Sequence, residues 1–179
     1  TVDYSKGHLK IGKKTVEIID SPGTYSLEEQ NKAEEVATKM VDEADIIINV
    51  IDATNLERNL YLTLELLEQH IPMIIVLNLW DETKHIGITI DHQKLQDLLK
   101  VPVIPTVALT GEGIKNLVNS LKNAAVNEKI MPTSHEGRWI EIGTLIKKVE
   151  KIERRQHNFR DRLADITINP ITGIPFSLL

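Results

Sequence analysis

Two loops of defined chemistry each close an apolar run in this chain. Asp20-Ser21-Pro22-Gly23 follows Thr15-Val16-Glu17-Ile18-Ile19, and Asn78-Leu79-Trp80-Asp81 follows Met73-Ile74-Ile75-Val76-Leu77. Runs rich in β-branched residues that end in polar turns read as strands. An Asp-x-x-Gly alone is any turn. Followed by an Asn-x-x-Asp, each at the carboxyl end of a strand, it has the loop order of a guanine-nucleotide-binding domain. No Gly-x-x-x-x-Gly-Lys-Ser/Thr occurs in the 179 residues, so no phosphate-loop residue can be named.

Periodicity supplies the other elements. Residues 8–11 and 15–19 flank Gly12-Lys13-Lys14, a hairpin signal. Residues 28–43 have helical spacing, with Ala33, Val36, Ala37, Met40 and Val41 on one side. Residues 45–51 and 71–77 read as strands buried on both faces. Between them, 56–69 is a helix with Leu60, Leu64 and Leu67 in register. Asp91 caps a helix that reaches about residue 99 and buries Leu95, Leu98 and Leu99. Residues 101–107 form a short strand broken by Pro102 and Pro105, and 114–126 a helix with Leu117, Val118 and Leu121 inward. Alternating strand and helix after residue 44 predicts a parallel sheet with right-handed crossovers.

A cluster of Pro132, Thr133, Ser134 and Gly137 marks a boundary. The expected division is a nucleotide domain at 1–128, a short helical segment at 137–168 and the entry to a membrane region at 169–179. Trp139, Ile142, Leu145, Ile146, Val149 and Ile152 recur at amphipathic spacing. Lys147, Lys148, Lys151, Arg154, Arg155, Arg160 and Arg162 make this tail basic, as suits anionic lipid head groups. Over the whole chain the net charge is −5, which argues against broad nucleic-acid binding. There is no cysteine for disulfides or thiolate metal sites, and the six histidines show no ligand spacing. No apolar run reaches the roughly 20 residues of a spanning helix. Thr1-Val2-Asp3-Tyr4 carries neither initiator Met nor signal peptide, so the chain reads as an internal piece.

The loop chemistry is specific. Guanine presents N1–H and its exocyclic amine side by side, and one carboxylate, Asp81, accepts both. Adenine has no such pair, and a site built on it rejects the wrong base by leaving groups unpaired. Asn78 binds the base edge and ties neighbouring loops together. Leu79 stands where many such enzymes have Lys, and its side chain covers a base face. A third loop, Val107-Ala108-Leu109, brings the Ala108 N–H to guanine O6. Asp20 holds Mg²⁺ through water, and the Gly23 N–H meets the γ-phosphate, which a Cβ would keep away. The segment 23–27 is then a switch whose order depends on that phosphate, since no large apolar anchor precedes Leu27. Thr24 follows Gly23 where Ras-type enzymes orient water with Gln, so hydrolysis is expected to be slow. Asp52-Ala53-Thr54 reads as a helix cap.

Asp20-Ser-Pro-Gly-Thr-Tyr-Ser-Leu27, Val50-Ile-Asp-Ala-Thr-Asn-Leu-Glu-Arg-Asn-Leu-Tyr-Leu-Thr-Leu64, Asn78-Leu-Trp-Asp81 and Gly111-Glu-Gly-Ile114 resemble the cytoplasmic G domain of FeoB-type ferrous iron transporters. The resemblance covers roughly residues 1–126. It implies a Ras-like P-loop GTPase fold that binds GTP and GDP with Mg²⁺, and K⁺ by family likeness. Fe²⁺ is then the transported ion and is not bound by this domain. Thr1 corresponds to the Mg²⁺-ligating threonine of switch I. The partner is a membrane domain of the same polypeptide, at the cytoplasmic face of a prokaryotic inner membrane, with homo-oligomers through the whole transporter. The fold so implied has its first strand between the hairpin and the strand at 45–51. Without that strand the sheet core stays open, and the chain by itself is expected to bind GTP poorly. Two rival readings are a catalytically weak nucleotide sensor and a soluble ribosome-associated GTPase. The acidic pI and the signature at 52–64 count against the latter.

Overall fold

The structure, a computed structural model, describes residues 4–28, 32–128 and 130–152. In chain order the strands and helices are β1 (Ser5–Ile11), β2 (Lys14–Asp20), α1 (Lys32–Asp42), β3 (Ile47–Asp52), α2 (Leu56–Glu68), β4 (Met73–Asn78), α3 (Trp80–His85), β5 (Ile88–Ile90), α4 (His92–Leu99), β6 (Val103–Pro105), α5 (Ile114–Ser120), α6 (His135–Val149) and β7 (Glu150–Ile152). The fold is α/β, as the alternation of strand and helix predicts. β3, β4 and β6 form a parallel sheet with β4 in the middle. Met73 through Leu77 are fully buried, which explains their unbroken apolar run.

β1 and β2 pair over seven residues each through the tight turn at Gly12 and Lys13. Gly12 takes φ +62°, the positive value that the first turn position of a two-residue hairpin favours. This hairpin is a separate sheet, with no ladder to β3. β3 therefore stands at an edge, and Ile46 and Val50 are exposed there. The expectation that the strand at 45–51 is buried on both faces is thus corrected. Its pairing on one side alone leaves alternate residues open.

One hydrophobic cluster joins the sheet to its helices. Leu56, Leu60 and Leu64 of α2, Leu95 and Leu99 of α4, and Ile142, Leu145 and Val149 of α6 all belong to it. Each buried aliphatic side chain contributes about 1.5–3 kcal/mol relative to exposure. α6 begins at a Ser134 cap, whose hydroxyl accepts from the Gly137 N–H, and packs on α2 and α4. It then runs directly into β7, which pairs antiparallel with β5. The amphipathic reading at 137–152 is right for Ile142, Leu145 and Val149. It fails for Ile152, which is 78% exposed on β7.

Other boundaries shift for local reasons. The helix expected at 28–43 is described from Lys32, where the described residues resume, and ends at Asp42. The helix expected at 114–126 ends at Ser120, passes through a 3₁₀ turn, and lets Ala125 bridge Met73. The strand at 101–107 shortens to Val103–Pro105, because prolines at 102 and 105 donate nothing to a ladder. The basic residues at 154–162 and the membrane entry at 169–179 lie outside the described residues. Among the described residues no helix is long and apolar enough to cross a membrane.

Candidate functional site

The carboxyl ends of the parallel strands bring the base-reading residues together. In register, Asp52 of β3 lies beside Asn78 of β4, and Leu77 beside Pro105 of β6. Asn78 Oδ1 accepts from the Ala108 N–H at 3.0 Å and from Thr106 Oγ1 at 3.3 Å. The backbones are stitched as well: Thr106 N–H donates to Leu77 O at 2.8 Å, and Trp80 N–H to Thr106 O at 3.2 Å. Asn78 thus ties the Asn-x-x-Asp loop to the third loop. The Ala108 N–H, assigned from sequence to guanine O6, points instead at Asn78. Val107 is buried, while Ala108 is exposed and Leu109 is 95% exposed.

Leu79 turns the corner at φ 59°, ψ 34°, a left-handed conformation that costs a non-glycine residue about 1–2 kcal/mol. The turn starts α3 immediately, so Asp81 and Glu82 fall in its first turn, where amide dipoles favour negative charge. Asp81 is exposed. Trp80 meets the His92 ring edge-on, and Thr83 Oγ1 donates to Trp80 O at 2.8 Å. α3 was missed from sequence because six residues carry too little periodicity. The third loop is held from behind by Gly113, at φ +79°. A Cβ there would sit 2.2 Å from the Pro105 carbonyl oxygen.

Asp20 is the last residue of β2, opposite Ser5, and is exposed. Gly23 is also exposed, and a Cβ on it would meet no protein atom within 4 Å. Any need for glycine there comes from a ligand. The following loop is better anchored than its sequence suggests. Thr24 Oγ1 donates to Ser26 O at 2.6 Å and accepts from Ser26 N–H at 3.3 Å. Leu27 N–H donates to Glu65 Oε2 at 2.8 Å, and Ser26 Oγ to Glu65 Oε1 at 3.3 Å. The Arg58 guanidinium lies 4.1 Å from the Tyr25 ring centroid. Arg58 and Glu65 belong to α2, and no local signal marked either as a partner of this loop. Thr1 lies outside the described residues. The structure therefore gathers Asn78, Asp81, Val107, Ala108 and Leu109 at one sheet edge, with Asp20 and Gly23 at the end of a separate hairpin.

Glu65 carries a second bond. Its Oε1 accepts from Arg138 Nη1 of α6 at 3.1 Å, while Arg138 Nε and Nη2 grip both oxygens of Glu68 at 3.1 Å each. Arg138 Nη1 also reaches Tyr61 Oη at 3.3 Å. Burial pulls the Arg138 pKa down, but bonds and charge from Glu68, Tyr61 and Glu65 outweigh it and leave it above the ordinary value. At the sheet edge, burial acts to raise the Asp52 pKa. Bonds from Asn55 and Thr54 prevail, so the carboxyl stays below its usual range. That is the helix-capping role expected of it: Oδ1 accepts from Thr54 N–H at 2.8 Å.

The donor set fits a hard cation only in part. The exposed Asp20 carboxylate suits Mg²⁺ held through water. Among the described residues no group of three or more His, Cys, Asp or Glu is placed to hold a metal.

Comparison with known proteins agrees with this geometry. A family described as ferrous iron transport protein B matches residues 1–121. The Fe(2+) transporter FeoB of Escherichia coli K12 is 40% identical over 136 residues, which cover 73% of this chain and 18% of that protein. The chain thus spans less than a fifth of that relative's length. The cytosolic domain of L. pneumophila FeoB superposes with a TM-score of 0.76 at 30% identity, covering 83% of this chain and 84% of that one. A mutant S. thermophilus NFeoB bound to GMPPNP gives a TM-score of 0.65 at 29% identity, covering 99% of this chain and 79% of that one. The motifs, the parallel sheet that carries the Asn-x-x-Asp loop and the matched family converge: this chain belongs to the ferrous iron transport protein B family, as part of its G domain.

Proposed function

We propose that this chain forms the guanine-specific part of a GTP-binding and hydrolysing domain that regulates ferrous iron uptake from the cytoplasmic side of a membrane. The observation that carries the reading is the bond from the Ala108 N–H to Asn78, with Asp81 open to solvent at the start of α3. That arrangement offers a carboxylate pair-acceptor and a backbone edge at the same end of the sheet. Nucleotide entry exchanges the Ala108 N–H from Asn78 to guanine O6. Asp20 would hold Mg²⁺, with Thr1 as second ligand by family likeness; the ion neutralises phosphate charge when bound. K⁺ and assembly of several copies belong to the same proposal.

Slow hydrolysis is favoured by one contact. The Thr24 hydroxyl gives its one proton to Ser26 O and accepts from Ser26 N–H, so it has no proton to offer an attacking water. Thr24→Ala in the full-length protein is expected to leave the GTP hydrolysis rate within about twofold, whereas a water-orienting residue is worth a hundredfold or more. Fe²⁺ uptake by proteoliposomes, with GTP or a non-hydrolysable analogue inside, tests the wider reading. Uptake indifferent to nucleotide would remove the regulatory role.

A further inference from the structure

The corner that ends β3 is tied on several sides. Asp52 Oδ1 accepts from the Thr54 N–H at 2.8 Å and from Thr54 Oγ1 at 2.7 Å, and Oδ2 accepts from Asn55 Nδ2 at 3.0 Å. Asn59 Nδ2 donates to Asn55 O at 2.9 Å, Thr63 Oγ1 to Asn59 O at 3.1 Å, and Asn49 Nδ2 to Thr63 Oγ1 at 2.8 Å. A polar chain thus runs from the middle of β3, through α2, to the 3₁₀ turn at Ala53–Asn55. Ala53 is fully buried and belongs to the hydrophobic cluster, against which Trp80 packs. The turn itself packs on α3. Asp52 and Asn78 are register partners, so the corner and the start of α3 leave the sheet side by side.

We propose that Asp52 is a positioning residue for base recognition: the corner it folds supports α3, and through α3 it fixes where Asp81 meets the base. This rests on reading Asp81 as the acceptor of the guanine N1–H and amine. α3 needs outside support. It has six residues, too few to hold a helix alone, and its cap residue Leu79 is left-handed and makes no side-chain bond. One hold is the bond from the Trp80 N–H to Thr106 O, and the other is the 53–55 turn. Two parallel bonds to one carboxylate demand close placement, since a shift of about 1 Å carries a hydrogen bond out of range. An ionised Asp52 accepts three bonds within the corner. Truncating it releases the Thr54 N–H, the Thr54 hydroxyl and the Asn55 amide together, and the turn beside α3 loses its shape.

The test compares the full-length parent with Asp52→Ala and Asp52→Asn, titrated with GDP and with inosine diphosphate, which lacks the exocyclic amine. The ratio of the two affinities reads the amine's bond to Asp81, and the parent is expected to prefer GDP about tenfold or more. Asp52→Ala is expected to lower that ratio at least about fivefold. Asp52→Asn keeps an acceptor for Thr54 and is expected to recover part of it. Hydrogen exchange without nucleotide is the second readout: the Glu82 and Ile86 amides, bonded to Leu79 O and Glu82 O, should exchange faster in Asp52→Ala. A merely structural role lowers the melting temperature and leaves the affinity ratio at the parent's value, which would overturn the proposal. So would a lowered ratio with unchanged exchange in α3, since Asp52 would then act on the nucleotide directly. If Asp52→Ala does not fold, Asp52→Asn decides on the same criteria. A parent without preference for GDP sinks the Asp81 reading and the proposal with it. A preference that survives in Asp52→Ala sinks the positioning role alone.

Discussion

Gly111 and Gly113 look equivalent in the sequence, and both take φ +79°. Their surroundings differ. A Cβ at Gly111 meets nothing within 4 Å, whereas one at Gly113 falls 2.2 Å from the Pro105 carbonyl and 3.0 Å from the Thr106 methyl. Gly111→Ala is therefore expected to cost about 1 kcal/mol of backbone strain alone. Gly113→Ala is expected to cost about 3 kcal/mol or more, since β6 must also shift. Denaturant melts of the two variants check this, and equal losses would show that strain, not contact, governs both. The larger loss also moves Thr106 and Ala108, the residues that Asn78 holds. At this scale the tie between Asn78 and the third loop was legible in the sequence, because both follow strand ends. The partners of the 24–28 loop were not. Glu65 lies far along the chain, and an acidic residue on a helix reads as solvated until the fold buries it.

The elements that periodicity found are the long ones with a clear apolar pattern: β4, α2, α4 and the inner face of α6. β5 and β7 escaped because each has three residues and their pairing joins distant parts of the chain. β3 was found but wrongly given two buried faces; its apolar residues were read as burial, whereas one edge carries no partner strand. The β5–β7 pair holds a titrating group. Burial, and then the charge of Glu57, push the Glu150 carboxyl above its ordinary pKa. The folded state thus prefers the protonated acid. Its stabilising contribution is fully present below the unfolded pKa, about 4.3, and is lost as pH rises through the raised folded value. Glu150→Gln, which mimics the protonated acid, is expected to raise the melting temperature at pH 7 and to give no gain at about pH 3. An equal gain at both pH values would assign the effect to packing instead.

For the whole molecule, the layered α/β fold was legible because strand and helix alternate after residue 44, and the family because its motifs at 20–27, 50–64 and 78–81 stand in order. How α6 sits was not legible. A composition break near residue 130 suggests separation, yet Ile142, Leu145 and Val149 complete the cluster that α2 and α4 begin. The central claim remains base recognition by Asp81. Calorimetric titration of the full-length protein and its Asp81→Asn variant, with GDP, ADP and xanthosine diphosphate, tests it most directly. Asn replaces one acceptor by a donor, so GDP affinity should fall by about 2–4 kcal/mol. Xanthine carries a carbonyl where guanine has its amine, so the variant should bind xanthosine diphosphate better than the parent does. GDP affinity unchanged in the variant, or equal affinity of the parent for ADP and GDP, would contradict the account.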